Sequence, residues 1–358
     1  MSARLVRLLL RLLMRWAITV PLVVLIVVLA FRLAPGDVRA LHSEGAEGRT
    51  ATESLSSQRF AEEHLLDASV FRQYAHALGP FDLSPRGHRW FGGDGTRPWH
   101  GLLALEFGTE WSRPQVRIRD ELARRALTTV PLALGAFVVA LLLALPVSVW
   151  LALLRTAPRG RYVARLVSAF LLLLDALPGF ALALLLVALL GPQGTNWFPA
   201  TGLDSREPQL PFLLDRAWHL VLPVLALSLG GIAHLARQLS TNLLQLEREE
   251  WMRAARANGL TRAQALRRHA LPHALPPLIG LFGGALPALV SGAVVVETVF
   301  ALQGLGSYAT EAVLARDLSI VLATCTLAAV VAVVGSVLAD ELVRSLDPRS
   351  RQGDVTHG

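Results

Sequence analysis

Lysine is absent from the chain, so arginine accounts for the whole basic count of 34. A P-loop ATPase needs a lysine on the nucleotide phosphates, and this chain has none to supply. Cysteine is nearly absent too, because Cys325 is the single one. That scarcity excludes an internal disulfide framework and a thiolate metal site. The chain is therefore not its own P-loop motor and not a disulfide-stabilised domain.

Charge is also scarce, at 17% of residues against 53% hydrophobic, with a mean hydropathy of +0.48. This composition is typical of a polytopic membrane protein. About 20 apolar residues cross the hydrocarbon core as a helix. Six apolar segments bounded by charged residues are candidate spans: residues 16–31, 126–154, 166–190, 217–236, 274–296 and 319–339. The expected fold is an all-α membrane protein with six transmembrane helices.

Prolines and arginines refine this prediction. Membrane bundles tolerate proline inside helices, and the spans contain Pro21, Pro131, Pro146, Pro178, Pro223 and Pro287. Arginines are concentrated before the first span, between the second and third, between the fourth and fifth, and after the sixth. The positive-inside rule then predicts that both termini are cytoplasmic. No small-x-small cleavage site follows residue 31, so we expect the first helix to be retained.

The predicted organisation has four parts. Residues 1–34 form the cytoplasmic N-terminus and first helix, 35–125 an extracytoplasmic loop or cap, 126–345 the membrane core, and 346–358 a cytoplasmic tail. In the outer segment, apolar residues at helical spacing predict a helix that ends at Gly79-Pro80. Its tryptophans, Trp90, Trp99 and Trp111, either pack on the outer rim of the bundle or into the membrane interface, or contribute to a docking surface for a soluble partner.

A charged insert interrupts the core at residues 247–272. Residues 247–258 can form one helix, which Gly259 would end in the left-handed conformation. Thr261 and Gln264 have the spacing of a capping box and would start a second short helix. Small and apolar side chains framed by arginines suit a groove on a soluble partner, whereas the arginines alone could bind anionic lipid headgroups.

The insert resembles the EAA loop of ABC importer permeases, whose pattern is E-A-A-x3-G-x9-I-x-L-P. Ala254, Ala255, Gly259, Leu271 and Pro272 match it, while Arg253 and His269 replace its glutamate and isoleucine as in the peptide branch of the family. Further matching pieces occur in family order along nearly the whole chain: RLAPGD at 32–37, LP at 177–178, HLVLP at 219–223, ETVF at 297–300, GLG at 304–306 and LDPR at 346–349.

This resemblance implies a type I ABC importer permease, the first of the two permeases in a dipeptide, oligopeptide or nickel system. The long outer segment is similar to a branch that handles larger peptides such as microcins. The implied partners are a second permease, two ATP-binding subunits or domains, an extracytoplasmic solute-binding protein and membrane lipid. No cofactor and no nucleic acid is expected. ATP hydrolysis would take place on the partners, and this chain would be a multi-pass protein of the cell inner membrane.

The resemblance also implies site residues. Those expected to couple to the ATPase are Arg253, Ala254, Ala255, Arg256, Gly259, Leu260, Leu271 and Pro272. Those expected in a gate or outer loop, or in a simple turn, are Glu297, Phe300, Gly304 and Gly306. Asp175, near Pro178, is a carboxylate within the third span. Since charge in lipid is costly, Asp175 either faces the translocation path or is protonated and hydrogen-bonded to a neighbouring helix.

Other chemistries have little support in the sequence. His269 and His273 have the helical spacing of metal ligands but no third ligand nearby, so we predict no metal site. No G-x-S-x-G, H-E-x-x-H or C-x-x-C motif suggests a hydrolase or redox enzyme. An ion-coupled secondary transporter and a non-transport membrane scaffold remain as alternatives. The former calls for internal repeats and paired intramembrane charges, which are not evident. The cargo is not identifiable from the sequence.

Overall fold

The computed structural model describes residues 3–34, 61–62, 64–79, 101–156, 159–205, 211–275 and 293–346. Across these ranges the chain is mainly helical and contains no strand beyond isolated bridges. Its α-helices are α1 (Ala3–Leu33), α2 (Val70–Leu78), α3 (Ile118–Thr156), α4 (Gly160–Ala176), α5 (Gly179–Leu190), α6 (Phe212–Leu246), α7 (Glu250–Ala257), α8 (Arg262–Ala265), α9 (Leu305–Ala315) and α10 (Leu318–Leu346). The predicted all-α fold class is confirmed.

Four helices, α1, α3, α6 and α10, are long and apolar enough to cross a membrane. The α4 and α5 pair counts as a fifth candidate if its two helices form one broken span. The predicted span 274–296 falls outside the described residues except at 274–275 and 293–296. Also outside them are residues 35–37, Pro287 and the tail from residue 347. Six spans and cytoplasmic termini therefore remain predictions.

The third predicted span differs from an uninterrupted helix. Its two halves, α4 and α5, meet at a bend of 108°. Leu177 lies between them with φ −75° and ψ 133°, an extended conformation. The ring of Pro178 disfavours helical backbone angles for the residue before it, and Pro178 has no N–H to donate to the preceding turn. The helix therefore ends here. Other prolines, such as Pro131 and Pro223, stay inside helices.

The chain divides into two compact units, Met1–Ala126 with Tyr308–Val334, and Leu127–Ser307 with Gly335–Gly358. In the first unit, one face of α1 is buried. Val20, Val24 and Val28 recur every four residues, which places them on one side of a helix. They pack in a cluster that includes residues of α10 and of the short 3₁₀ turn Leu102–Ala104.

A buried polar network stabilises the first unit. The Tyr308 hydroxyl donates to Glu110 at 2.7 Å, and the backbone N–H of Trp111 donates to Asp317 at 2.7 Å. Burial raises the pKa of both the Tyr308 hydroxyl and the Asp317 carboxyl above their ordinary values. The Glu110 carboxylate also accepts from Arg113 at 2.6 Å. The end of the outer segment is therefore fixed within this unit by buried hydrogen bonds.

The outer segment contains ordered structure elsewhere too. The helical spacing begins at Phe60, but only its second half is confirmed as a helix, α2, which ends at Gly79 with φ 73°, whereas residues 64–67 form turns. The Trp111 ring is buried, with its centroid 4.6 Å from that of His64. This tryptophan packs inside the unit rather than on an exposed surface. The other two tryptophans of the segment lie outside the described residues.

The second unit contains the rest of the membrane core and the charged insert of residues 247–272, which is the predicted coupling loop. Helix α6 is its central element and packs against both α4 and α5. Buried apolar clusters line α6 along its length: one with α3 and the coupling loop, one with α3 and α4, and one with α3, α5 and residues 293–302. Of the candidate functional residues, Leu260 and Leu271 pack against the first of these clusters and Phe300 belongs to the third.

Candidate functional site

The coupling loop follows the end of α6 and is built from two short helices. Helix α7 ends at Ala257, and Gly259 has φ +89°, in the left-handed region. The predicted glycine stop is therefore confirmed. Helix α8 begins after Thr261, whose hydroxyl accepts from the Gln264 N–H while the Gln264 side chain accepts from the Thr261 N–H. The predicted capping box is confirmed as well.

The loop is held against the bundle by a buried apolar face. Met252 of α7 and Ala265 of α8 are fully buried, as are Leu266 and Ala270 of the π-helical stretch that follows. They pack in one cluster with residues of α3 and α6: Val149, Ala152, Leu239 and Leu243. Burying this face removes apolar surface from water and fixes the loop in place.

An ion pair that sequence reasoning missed anchors the loop further. The Arg262 guanidinium pairs with the Glu247 carboxylate, with Nη2 at 2.7 Å from Oε2. The same guanidinium donates to the carbonyls of Ala152 and Leu153, both at 3.1 Å. Arg262 thus joins the end of α6, the end of α3 and the start of α8. The only sequence signal was an arginine at the start of the second short helix with an acid fifteen residues earlier, which is too common to be diagnostic.

The opposite face of the loop is exposed. Arg253, Ala254, Arg256 and Gly259 are exposed, and Ala255 is half-buried. A side chain at Gly259 would meet no atom within 4 Å, so glycine is needed there for its positive φ and not for space. The remaining predicted coupling residues are Leu260 and Leu271, half-buried, and Pro272, exposed. The predicted set therefore lies in two parts of the loop, residues 253–260 and 271–272, and each part includes exposed residues.

The predicted gate residues lie together around a buried carboxylate. Glu297 is fully buried and accepts hydrogen bonds from the Thr129 hydroxyl at 2.6 Å and the Ser307 N–H at 2.8 Å. The Thr129 oxygen in turn accepts from the Leu305 N–H at 2.8 Å. Phe300 is buried in the neighbouring apolar cluster. Glu297 thus holds the turn that leads into α9.

The two glycines of this turn are required for space. A Cβ on Gly304 would lie 2.2 Å from the Glu297 carboxyl group. A Cβ on Gly306 would lie 2.5 Å from the Cα of Val294. Neither distance is possible between non-bonded atoms. The ETVF motif (residues 297–300) and the GLG motif (residues 304–306) therefore pack closely against each other through Glu297 and Gly304.

Asp175 has a partner that the sequence did not suggest. Its Oδ2 accepts from Nη1 of Arg237 at 2.7 Å, and His234 Nδ1 lies 3.9 Å from its other oxygen. Asp175 is on α4, two residues before the break at Leu177-Pro178, and Arg237 is on α6. From the sequence, Arg237 was assigned to a cytoplasmic connection. The carboxylate is therefore paired between two helices rather than isolated.

The described residues show no group of three or more potential metal ligands. Of the two histidines with metal-like spacing, His273 packs edge-on against Trp251, with ring centroids 5.1 Å apart. His269 is half-buried in the π-helical stretch. The geometry at these histidines is that of aromatic packing and a helix surface.

Residues 144–352 match the family described as binding-protein-dependent transport system inner membrane component. This match covers more than half of the chain and includes the coupling loop, the Asp175 region and the Glu297 turn. The chain belongs to this family. It is a multi-pass membrane permease, the membrane subunit of an ABC importer. The family match therefore favours an importer permease over a secondary transporter or a scaffold.

Individual relatives agree with the family match. The permease is 28% identical to the oligopeptide transport system permease protein AppB of Bacillus subtilis over 334 residues, which cover 92% of this chain and 96% of the relative. It is 32% identical to a putative peptide transport system permease of Brucella abortus, covering 65% of this chain and 72% of the relative. It is 35% identical to the oligopeptide permease OppB of Mycobacterium bovis, covering 52% and 60%.

A solved structure shares the fold. The permease matches a chain of the MetNI methionine ABC transporter, solved in inward-facing conformations, with a TM-score of 0.51 and 20% identity. The match covers 63% of this permease and 96% of the MetNI chain. The architecture is therefore that of an ABC importer permease.

Proposed function

We propose that this permease is the first of two in a peptide importer of the cell inner membrane, and that the coupling loop connects it to separate ATPase subunits. Its partners are a second permease, two ATP-binding subunits or domains, and an extracytoplasmic solute-binding protein. ATP hydrolysis takes place on the ATP-binding partners. The observation that carries the proposal is the two-sided construction of the loop, with a back face buried in the bundle and an open front.

The buried back face gives the loop the means to transmit motion. Met252 and Leu266 pack on α3 and α6, and Arg262 ties the loop to the ends of both helices. A force applied to the front would therefore move α3 and α6 as packed bodies and would not merely bend a flexible connection. Interfaces and packed cores respond to such forces by switching between discrete arrangements.

The front face has the properties of a docking surface for a protein groove. Ala254 and Gly259 present little side-chain bulk, so another backbone can approach closely, while Arg253 and Arg256 can pair with acidic residues at its edge. The left-handed stop at Gly259 bends the loop at its exposed end. Arginine-rich contact with lipid headgroups alone would not need this small-residue front.

Peptides are proposed as cargo because the relatives described above are named as oligopeptide and peptide permeases. Asp175 and Pro178, at the break between α4 and α5, are proposed to line the translocation path. A bent, interrupted helix exposes backbone groups that a polar cargo can contact. Glu297, Phe300, Gly304 and Gly306 are proposed to form a rigid outer gate element.

The test uses two glycine substitutions matched in backbone geometry. Gly259 and Gly202 have φ of +89° and +81°, and a Cβ added at either would meet no atom within 4 Å. Gly259→Asp and Gly202→Asp therefore carry similar backbone strain but lie in different loops. Affinity-tagged permease would be purified with its co-expressed partners, and the recovered ATPase subunits quantified.

We expect Gly259→Asp to reduce ATPase recovery roughly tenfold or more, as loss of an interface hot spot does, while Gly202→Asp retains it. Equal recovery with both variants at equal membrane levels would overturn the coupling proposal. The cargo is tested by ATP-dependent uptake of labelled dipeptides and oligopeptides into proteoliposomes. Uptake of nickel but of no peptide would contradict the peptide assignment.

A further inference from the structure

An open cleft of about 480 Å³ lies in the second unit, between the end of α3 and the second half of α6. Its lining residues are Arg155, His234, Arg237, Gln238, Thr241 and Asn242. None of them belongs to the coupling loop or to the Glu297 turn. The cleft is within the size range of small-ligand sites.

The lining has the chemistry of an anion site. It contains two guanidinium groups, two side-chain amides, a hydroxyl and an imidazole, and no carboxylate. Guanidinium groups bind carboxylate and phosphate through parallel N–H donors, and charge-assisted bonds of this kind are stronger than neutral ones. The two side-chain amides can add further donors, whereas the Thr241 hydroxyl donates to the backbone carbonyl of Arg237 at 3.0 Å. The donor set therefore favours an oxyanion over a cation or an apolar ligand.

Arg155 differs from other arginines that are shielded from solvent. Arg125 is paired with Glu121 and Glu311, and Arg262 with Glu247. Arg155 is half-buried, but its Nη2 donates to the neutral Ser168 hydroxyl at 3.2 Å. In the described part of the chain no carboxylate lies within ion-pair distance of it. Its positive charge therefore remains available to a ligand in the cleft.

Arg237 is held in position by an acid behind it. Asp175 does not line the cleft, but it accepts a hydrogen bond from Nη1 of Arg237 at 2.7 Å. A guanidinium has five N–H donors, and this bond uses one of them. Asp175 thus orients Arg237 and partly neutralises it. Removal of the acid would raise the positive charge of the cleft.

We propose that this cleft binds an oxyanion through Arg155 and Arg237, with Asp175 limiting its affinity. The oxyanion is either the carboxylate of a transported peptide or the phosphate of an anionic phospholipid headgroup. Basic pockets between transmembrane helices bind such headgroups. The peptide source rests on the proposed function, whereas the lipid source does not require transport.

The lipid arm uses the permease purified with its partner subunits in nanodiscs of phosphatidylcholine containing phosphatidylglycerol. Native mass spectrometry measures the phosphatidylglycerol retained by wild type, Arg155→Gln and Arg237→Gln. Arg161→Gln, which removes an exposed arginine of α4 outside the cleft, is the matched control. If the ligand is lipid, we expect roughly tenfold weaker retention in both cleft variants and none of this loss in the control.

The peptide arm uses the same variants in proteoliposomes and compares a peptide with a free C-terminal carboxylate to its amidated form. If the ligand is cargo, wild type and Arg161→Gln prefer the free acid, and both cleft variants lose that preference. Arg155→Gln leaves the Asp175–Arg237 pair intact, so its effect does not depend on that pair's contribution to folding.

Asp175→Asn should change ligand binding in the opposite direction to the two arginine variants. A purely structural ion pair would lose stability on this change and gain no affinity. In the proposed site, Asp175→Asn strengthens binding of the phosphatidylglycerol or of the free-acid peptide. Unchanged lipid retention together with unchanged peptide preference in both arginine variants would overturn the proposal. If no peptide is transported at all, the proposed cargo fails, and lipid retention alone decides on this site.

Discussion

Two glycine-containing turns of the second unit show opposite reasons for using glycine. In the coupling loop, Gly259 faces open space and has a positive φ. In the Glu297 turn, Gly304 and Gly306 are enclosed, and a side chain on either would overlap a buried carboxylate or the backbone of Val294. One turn is an exposed bend available to a partner, and the other is a closed internal contact.

The difference shows that the two regions are built for different mechanical behaviour. The Glu297 turn is built on buried hydrogen bonds and leaves no room for a new group, which suits an element that must stay rigid. The coupling loop is anchored only on its back face, which leaves its front free to dock. Glycine motifs of similar appearance in the sequence therefore predict different consequences of mutation.

The largest effect is expected for Gly306→Ala. The added methyl would lie 2.5 Å from a backbone atom of Val294, which cannot rotate away as a flexible side chain can. Overpacking of this kind costs about 3 kcal/mol or more of unfolding free energy. The measurement is thermal unfolding of the purified complex in detergent. Gly230→Ala, in the helix α6 with nothing within 4 Å, is the control and should not destabilise.

The second-largest effect on stability is expected for Arg262→Gln. It removes the ion pair to Glu247 and the bonds to the Ala152 and Leu153 carbonyls, leaving a partly buried carboxylate without its partner. The pair is partly solvated, so we expect a loss of about 2–3 kcal/mol. Limited proteolysis should cleave the loop faster. Arg253→Gln removes an exposed arginine of the same loop, and equal proteolysis of the two variants would contradict the anchoring role.

Thr129→Val probes the closed turn by removing one hydroxyl. Glu297 loses a donor and the Leu305 N–H loses an acceptor, at a cost of about 2 kcal/mol because one partner is charged and buried. The control is Thr298→Val, because the Thr298 hydroxyl is exposed and donates to the carbonyl of Val294, four residues earlier in the chain. If Thr298→Val lowers the unfolding midpoint as much as Thr129→Val, the buried carboxylate is not what holds the turn.

The smallest effect on stability is expected for Gly259→Ala. No atom obstructs the methyl, and only the left-handed backbone is unfavourable, which costs about 1 kcal/mol. Unfolding of the purified permease should therefore shift little compared with Gly306→Ala. A destabilisation equal to that of Gly306→Ala would show that the loop is packed on both sides, against the exposed front described above.

Much of this local structure could be predicted because it depends on near neighbours in the chain. The stop at Gly259 and the capping box of Thr261 and Gln264 each involve residues within a few positions of one another. The family resemblance likewise rested on short motifs at fixed spacing. Such local signals can be recognised in the sequence without knowledge of the fold.

The contacts that sequence reasoning missed are all long-range. Glu297 and Thr129 are 168 positions apart, and Asp175 and Arg237 are 62 apart. In the sequence, nothing distinguishes an arginine that anchors the loop, such as Arg262, from an arginine that contacts lipid. Hydropathy likewise identified residues 166–190 as one span but could not show that Pro178 breaks its helix where Pro223 does not break α6.

The exposed front of the coupling loop is proposed to contact an ATPase subunit. With Cys325 replaced by serine, the chain has no other cysteine, so a single new cysteine reports on one position. Ala254→Cys and Thr201→Cys both place it at exposed sites, one in the coupling loop and one in a different loop. Treatment of the assembled importer with a short thiol-to-amine cross-linker should join Ala254→Cys, but not Thr201→Cys, to an ATPase subunit. Failure of Ala254→Cys to cross-link while the ATPase co-purifies would contradict the account.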